Sequence, residues 1–237
     1  AAPAAGVVQA HPPTSTTTQP PTGGASLGLQ VKPDVPPAKV APATTKGKKF
    51  SGFGDDVDSH IAEASQKYGI SEDVLRGFVK MEAGWTGQMS PTGAIGTGQF
   101  IQPTWDSLAA SKEGQEIGMT KIGKRFRTAE DPRFDKRTNT LATGLLAKQN
   151  ADALRKAGLE PTGENLYMMH NIGPGVIPAL QGKSVSGKTL EAMRHNGMKP
   201  GQSSSEFVAM QKARFNSHYA QANSPEVLAK ATKSGIS

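Results

Sequence analysis

The chain has 237 residues and a formal net charge of +7, with 35% hydrophobic and 5% aromatic residues. This length allows one ordinary domain with extensions, or at most two small domains. The absence of cysteine excludes disulfides, thiolate metal sites and a cysteine nucleophile. No apolar run approaches the roughly 18 residues of a membrane-spanning helix, so we expect no membrane span.

Residues 1–49 differ in composition from the rest of the chain. They contain nine of the 17 prolines and no aromatic residue, and they are rich in threonine and alanine. Five lysines against one aspartate give this segment +4 of the net +7. We therefore expect a disordered or extended N-terminal arm. Because most of the excess charge lies in this arm, without interleaved aromatic residues, we expect no nucleic-acid partner.

Apolar residues take helical spacing from Phe50 onward. A first helix is predicted up to Tyr68, with Gly69 ending it, and a second helix after Ser71 as N-cap. Residues 84–99 contain five glycines and one proline, which predicts a loop with nothing longer than a short strand. Further helices are predicted from Pro103, around residues 141–154, over residues 163–171 and around residues 208–219. We expect residues 50–222 to form a single, mainly α globular domain and residues 223–237 a flexible C-terminal tail.

Glu82 is the strongest candidate for chemistry. It follows Phe78 by four residues and Val79 by three, so helical spacing places it on the apolar face of the second helix. It also lies at the C-terminal end of that helix, where the helix dipole disfavours a negative charge. Both effects predict a raised carboxyl pKa, which a general acid working near neutral pH needs. The alternative is a solvated glutamate in a frayed last turn.

Two glycine-rich motifs follow Glu82 along the chain. The first, at residues 90–99, reads Ser-Pro-Thr-Gly-Ala-Ile-Gly-Thr-Gly-Gln, and the second, at residues 171–175, reads Asn-Ile-Gly-Pro-Gly. Glycine lets the backbone approach a ligand closely, and the Gln99 amide can hold a sugar hydroxyl or acetamido group. In this order the glutamate and the two motifs resemble the catalytic domain of the soluble lytic transglycosylases, relatives of goose-type lysozyme.

The resemblance covers roughly residues 55–185 and implies a lysozyme-like fold and a peptidoglycan-cleaving activity. Glu82 would protonate the glycosidic oxygen between N-acetylmuramic acid and N-acetylglucosamine, and would then accept the proton of the muramic acid 6-hydroxyl as a 1,6-anhydro ring closes. Ala83 stands where the family usually has serine, and His170 stands where it has an active-site tyrosine. The candidate substrate-binding residues are Trp85, Ser90, Gln99, Tyr167, His170 and Asn171.

The same resemblance implies glycan strands of peptidoglycan as the partner, no cofactor, and action in the cell envelope or periplasm. The five histidines show no ligand spacing on a helix, so we expect no metal site. The N-terminal arm suggests a domain tethered to a larger assembly, such as a phage virion or an envelope-spanning secretion machine. Two alternatives remain open from the sequence: a glycan-binding or structural module with little turnover, and a hydrolytic lysozyme.

Overall fold

The structure is a computed structural model, and it describes residues 49–234. Helices account for most of these residues. The α-helices of this part of the chain are α1 (Asp55–Tyr68), α2 (Glu72–Glu82), α3 (Gln102–Ala110), α4 (Lys112–Glu116), α5 (Lys136–Lys156), α6 (Gly163–Ile172), α7 (Ile177–Leu180), α8 (Gly187–His195), α9 (Ser204–Ala222) and α10 (Pro225–Ser234). They form one globular body, so the predicted mainly α class is confirmed for these residues. The predicted arm lies outside them, apart from Lys49. Within residues 49–234, no helix is long and apolar enough to cross a bilayer.

Helices α1 and α5 pack closely against each other. The α1 residues Val57, Ile61 and Ala64 are fully buried, as their spacing predicted, and Gly69 ends the helix in the left-handed conformation. Close approach requires the glycine at position 144 on α5, because a Cβ there would lie 2.8 Å from the Tyr68 ring. Helix α5 of this pair also holds the glycine-rich loop, through Asn139.

Helices α2, α6 and α9 meet around a cluster of aromatic rings. Phe78 of α2 makes edge-to-face contacts with Tyr167 of α6 and Phe215 of α9, and the last two rings stack at 5.2 Å. Gly77 lets α9 approach, because a Cβ there would lie 2.9 Å from Phe215. The cluster brings the C-terminal end of α2 next to α6 and α9.

The glycine-rich loop between α2 and α3 contains two isolated antiparallel bridges, Met89 to Ile95 and Ile95 to Phe100, as expected for a segment with nothing longer than a short strand. Asn139 of α5 anchors it, because its side chain donates to the Ile95 carbonyl at 3.0 Å and accepts from the Gly98 amide at 2.9 Å. The buried Arg133 guanidinium donates to the Phe100 carbonyl at 2.8 Å. The loop is therefore fixed to the helical scaffold at Ile95, Gly98 and Phe100.

The C-terminal segment differs from the prediction of a flexible tail, because residues 225–234 form helix α10 instead. Ser224 caps its first turn, and Val227 is buried where α10 packs on α1. The Lys230 ammonium group donates to the Ser51 carbonyl at 2.8 Å. A single buried valine and these polar links order a segment whose composition alone indicated a tail.

Candidate active site

Glu82 is the last residue of α2, and the chain changes direction immediately after it. Ala83 adopts the left-handed conformation (φ 57°), and its amide donates to the Val79 carbonyl at 3.1 Å. Gly84 follows in close contact with the glycine-rich loop, since a Cβ there would lie 2.0 Å from the Gly96 carbonyl oxygen. The end of the helix and the loop are thereby held together at the position of the glutamate.

The Glu82 side chain is only 8% exposed, and both of its carboxylate oxygens are shielded from solvent. Neither oxygen has a partner with the geometry of a full hydrogen bond in the described part of the chain. Burial raises the carboxyl pKa to about 8, and the neighbouring Tyr167 hydroxyl and Arg214 guanidinium oppose this rise only in part. Glu82 is therefore protonated at neutral pH, as its position in the sequence predicted.

Tyr167 reaches this site from α6. It is 2% exposed, and burial, followed by the charge of Glu82, raises its pKa well above the ordinary value of a phenol. The hydroxyl therefore keeps its proton at neutral pH and can donate it in a hydrogen bond to the glutamate.

Gln99 ends the glycine-rich motif in the left-handed conformation (φ 48°). Its amide nitrogen donates to the Gly96 carbonyl at 2.9 Å and to the Gln88 carbonyl at 3.3 Å, and it lies against Gly84. Because these bonds hold the side chain within its own loop, Gln99 is preorganised rather than free to rotate.

His170 and Asn171 lie side by side near the end of α6, and both are buried. The His170 Nε2 atom is 2.9 Å from the Gly98 carbonyl oxygen. Since a carbonyl only accepts, Nε2 carries the proton, and burial lowers the imidazole pKa to about 4. In this conformation the neutral His170 joins α6 to the glycine-rich loop. Asn171 exchanges hydrogen bonds with Gln211 and Asn196.

Ser90 and Trp85, two further predicted site residues, have other contacts. The Ser90 hydroxyl accepts from the Ala94 amide at 3.0 Å and stabilises the tip of the loop. The half-buried Trp85 ring packs edge-to-face on Phe50 and Phe53, at 5.4 and 5.7 Å between ring centroids. The structure therefore brings Tyr167 to Glu82 and Gln99 to Gly84 at the end of α2. Asn171 is bonded instead to α9 and the end of α8, and Trp85 belongs to an aromatic cluster formed with the N-terminal part of the domain.

Sequence reasoning missed the contribution of α9. Gln211 is 1% exposed and lies between Phe207 and Phe215 at intervals of four residues, so a polar side chain occupies the apolar face of this helix. That break in the pattern was the available signal. Arg214, one turn later, is exposed and hydrogen-bonded to Gln211 at 3.0 Å.

Within residues 49–234, no group of three or more histidine, aspartate or glutamate residues is arranged to hold a metal ion. A surface pocket of about 260 Å³ lies elsewhere, where Glu63, Lys67, Glu116 and Arg137 line the junction of α1, α4 and α5. Its charges are mixed, and it contains none of the candidate residues.

Comparison with known proteins adds no identity to this geometry. The chain matches no protein-family model, no curated protein and no solved structure. The interpretation of the site therefore depends on the residues and contacts described above.

Proposed function

We propose that this protein is a peptidoglycan lytic transglycosylase with a lysozyme-like catalytic domain. The supporting observation is Glu82, a carboxyl group buried without a full hydrogen bond, with its pKa raised to about 8. A group in this state is a general acid at neutral pH. Tyr167 of α6 neighbours it, and the glycine-rich loop that carries Gln99 packs against Gly84, two residues after it.

The reaction starts with proton transfer from Glu82 to the glycosidic oxygen between N-acetylmuramic acid and N-acetylglucosamine. The bond to the muramic acid C1 breaks, and the acetamido group of the same sugar stabilises the positive centre. Glu82, now a carboxylate, accepts the proton of the 6-hydroxyl as its oxygen attacks C1. The glycan is left with a 1,6-anhydro end, and no water is consumed.

The other residues of the site act on the sugar or on the acid. Gln99 presents its amide to the sugar hydroxyl and acetamido groups, and the Tyr167 hydroxyl stabilises the glutamate after it has lost its proton. Asn171 is buried with both amide atoms bonded to Gln211 and Asn196, so in this conformation it supports α6 and does not face the sugar. The acid and the base are the same group at successive steps, so the mechanism needs no second carboxylate. His170 contributes by holding the loop to α6.

A glycan-binding module with little turnover is the second candidate, and one observation favours it. Both Glu82 oxygens are inaccessible in this conformation, so a glycosidic oxygen reaches them only after a local opening. Incubation of purified sacculi with the protein separates the two candidates. Release of soluble muropeptides supports the enzyme, whereas co-sedimentation with intact sacculi and no release supports the binding module.

The proposed site of action is the cell envelope. The proline-rich composition of residues 1–49 suits a tether to a larger assembly, such as a phage virion or a secretion machine that crosses the envelope. Removal of residues 1–48 should leave cleavage of soluble glycan strands unchanged and should abolish incorporation into such an assembly. Loss of cleavage in the truncated protein would contradict a purely tethering role.

A further inference from the structure

The connection between α4 and α5 contains a short segment with a large excess of positive charge. Residues 121–127, here called the basic segment, read Lys-Ile-Gly-Lys-Arg-Phe-Arg, with four cations and no acid. Residues 1–49 hold +4 of the net +7, so residues 50–237 carry +3 and are close to neutral outside this segment. The positive charge of the globular domain is therefore concentrated in seven consecutive residues.

The cations of the basic segment have no counter-charge in the described part of the chain. Lys121, Lys124 and Arg127 are exposed, and Arg125 is half-buried. Every ion pair within residues 49–234 involves other side chains. Surface cations without a counter-charge attract an anionic partner, and dissolved salt weakens that attraction by screening. The segment therefore offers its positive charges to a ligand.

Hydrogen bonds hold the basic segment in one conformation. The Ile122 amide donates to Asp106 Oδ1 of α3 at 2.8 Å, and the Ile122 side chain is buried. The Arg125 guanidinium donates to the Lys121 carbonyl at 2.6 Å, which ties the segment to itself. Because the backbone is already ordered, a ligand that binds here loses little affinity to the ordering of the protein.

The basic segment lies beside the tip of the glycine-rich loop. Arg127 Nη2 donates to the Thr92 carbonyl at 3.3 Å, and a Cβ on Gly93 would lie 2.5 Å from the same nitrogen. The Arg127 guanidinium also lies over the exposed ring of Phe126, 5.0 Å from its centroid. A strand that follows the loop, whose motif ends at Gln99, would meet the basic segment at the tip.

We propose that the basic segment binds the carboxylates of the peptides that branch from a peptidoglycan strand, while the sugars lie along the glycine-rich loop. The choice of ligand rests on the proposed function. Such a strand carries carboxylates at regular intervals, and ammonium and guanidinium groups bind them through charge-assisted hydrogen bonds. Nucleic acid fits less well, because the segment has a single aromatic residue and the rest of the domain is close to neutral.

The test measures how tightly the full chain co-sediments with purified peptidoglycan that is free of phosphate-containing polymers. Lys121→Glu together with Lys124→Glu should raise the dissociation constant about tenfold at low salt, and the difference should shrink as salt is added. Lys148→Glu with Lys188→Glu, at exposed positions on α5 and α8, changes the net charge equally and should bind as the wild type does. Every protein in this comparison also carries Glu82→Gln, so that cleavage does not consume the peptidoglycan.

Peptidoglycan whose carboxyl groups have been converted to amides identifies the group that is bound. The chain with an intact basic segment should bind it about tenfold more weakly than unmodified peptidoglycan, and the Lys121→Glu and Lys124→Glu pair should cause little further loss. Undiminished binding to the amidated material would overturn the proposal, as would equal losses in this pair and its control. Weaker binding to duplex DNA with unchanged binding to peptidoglycan would assign the segment to nucleic acid instead.

Binding and cleavage are measured separately, so the failure of one proposal is distinguishable from the failure of the other. If the chain with Glu82 intact releases no product, the enzyme proposal fails and co-sedimentation still decides the role of the basic segment. If it cleaves, Lys121→Glu with Lys124→Glu should raise KM for unmodified peptidoglycan and leave kcat unchanged, because these side chains bind the peptide and take no part in the chemistry. A lower kcat with an unaltered KM would contradict the proposal.

Discussion

Gly84 lies against the carbonyl oxygen of Gly96, so closely that a Cβ at position 84 would be 2.0 Å from that oxygen and 2.4 Å from the Gln99 amide nitrogen. This contact joins the end of α2 to the glycine-rich loop two residues after Glu82. The loop is itself bonded to α5, so it has little freedom to retreat.

Gly84→Ala should therefore destabilise the protein by about 1–3 kcal/mol and displace Gln99. Urea unfolding measures the free energy, and the Gln99 side-chain amide signals report the displacement. Gly187→Ala is the matched control, because a Cβ there has nothing within 4 Å and the residue begins α8. If Gly84→Ala lowers the free energy of unfolding no more than Gly187→Ala does, the loop can move aside to accommodate the added Cβ, which would contradict this prediction.

The raised pKa of Glu82 predicts that stability falls with alkalinity. The pKa is about 8 in the folded chain and close to the ordinary 4.5 in the unfolded chain, so the folded state holds an extra proton between these values. The contribution of Glu82 to the free energy of unfolding should therefore be largest below about pH 4.5. It should fall as the pH rises toward and through 8. In Glu82→Gln the decline should be absent, and the variant should be the more stable protein at pH 9.

Chemical unfolding of both proteins at pH 5, 7 and 9 checks this directly. The free energy of unfolding of Glu82→Gln is compared with that of the wild type at each pH, because all other groups titrate equally in both proteins. A difference that stays constant across this range would mean that Glu82 is already ionised in the folded protein at neutral pH.

The protonation of His170 predicts the opposite effect, a loss of stability as the pH falls. Burial lowers its pKa to about 4, so its contribution is present above the unfolded value near 6.5 and is lost as the pH falls toward and through 4. His170→Gln should keep a donor for the Gly98 carbonyl and remove this loss, which unfolding at pH 4, 5.5 and 7 measures. His195→Gln, at an exposed histidine, is the control. Equal acid sensitivity of the His170 variant and the wild type would contradict the assignment.

The buried ion pair of Asp131 and Arg133 should be among the largest single contributions to the stability of the loop. Their side chains are 2.8 Å apart and inaccessible, and the guanidinium also donates to the Gly93 and Phe100 carbonyls. Arg133→Met removes the counter-charge of a buried carboxylate and the hydrogen-bond donor of the Gly93 carbonyl, although Asp131 keeps the backbone amides of Arg127 and Arg133. We therefore expect a loss of about 3–5 kcal/mol in thermal or urea unfolding.

The control for that variant is Lys136→Met, which breaks a solvent-exposed pair with Asp56 at 3.2 Å. It should cost less than about 1 kcal/mol. Similar losses in the two variants would show that burial of the first pair does not matter.

The elements that were predicted well have strong local signals. Gly69 and the spacing of the α1 residues identified the end of that helix, and the apolar face containing Phe78 placed Glu82 at the buried end of α2. The raised pKa of Glu82 was predicted from its place on this apolar face and from the helix dipole at the C-terminal end of α2. These features depend on neighbours a few residues away, which a single sequence displays.

The features that were missed depend on contacts across the fold. Gln211 breaks the apolar face of α9, but this local signal does not show that α9 packs on α2, more than a hundred residues earlier in the chain. Trp85 follows the glutamate closely in sequence, yet its ring turns to Phe50 and Phe53. The helix at 225–234 depends in the same way on a surface provided by α1.

The most direct measurement is mass spectrometry of the soluble products that the wild-type chain and Glu82→Gln release from purified peptidoglycan, with Glu72→Gln at the other end of α2 as the control. We predict anhydro-terminated muropeptides, lighter by one water than the hydrolytic products, from the wild type and the control, and none from Glu82→Gln. Reducing-end products would assign a hydrolytic lysozyme instead. No soluble product from the wild type, or undiminished release by Glu82→Gln, would contradict the role proposed for Glu82.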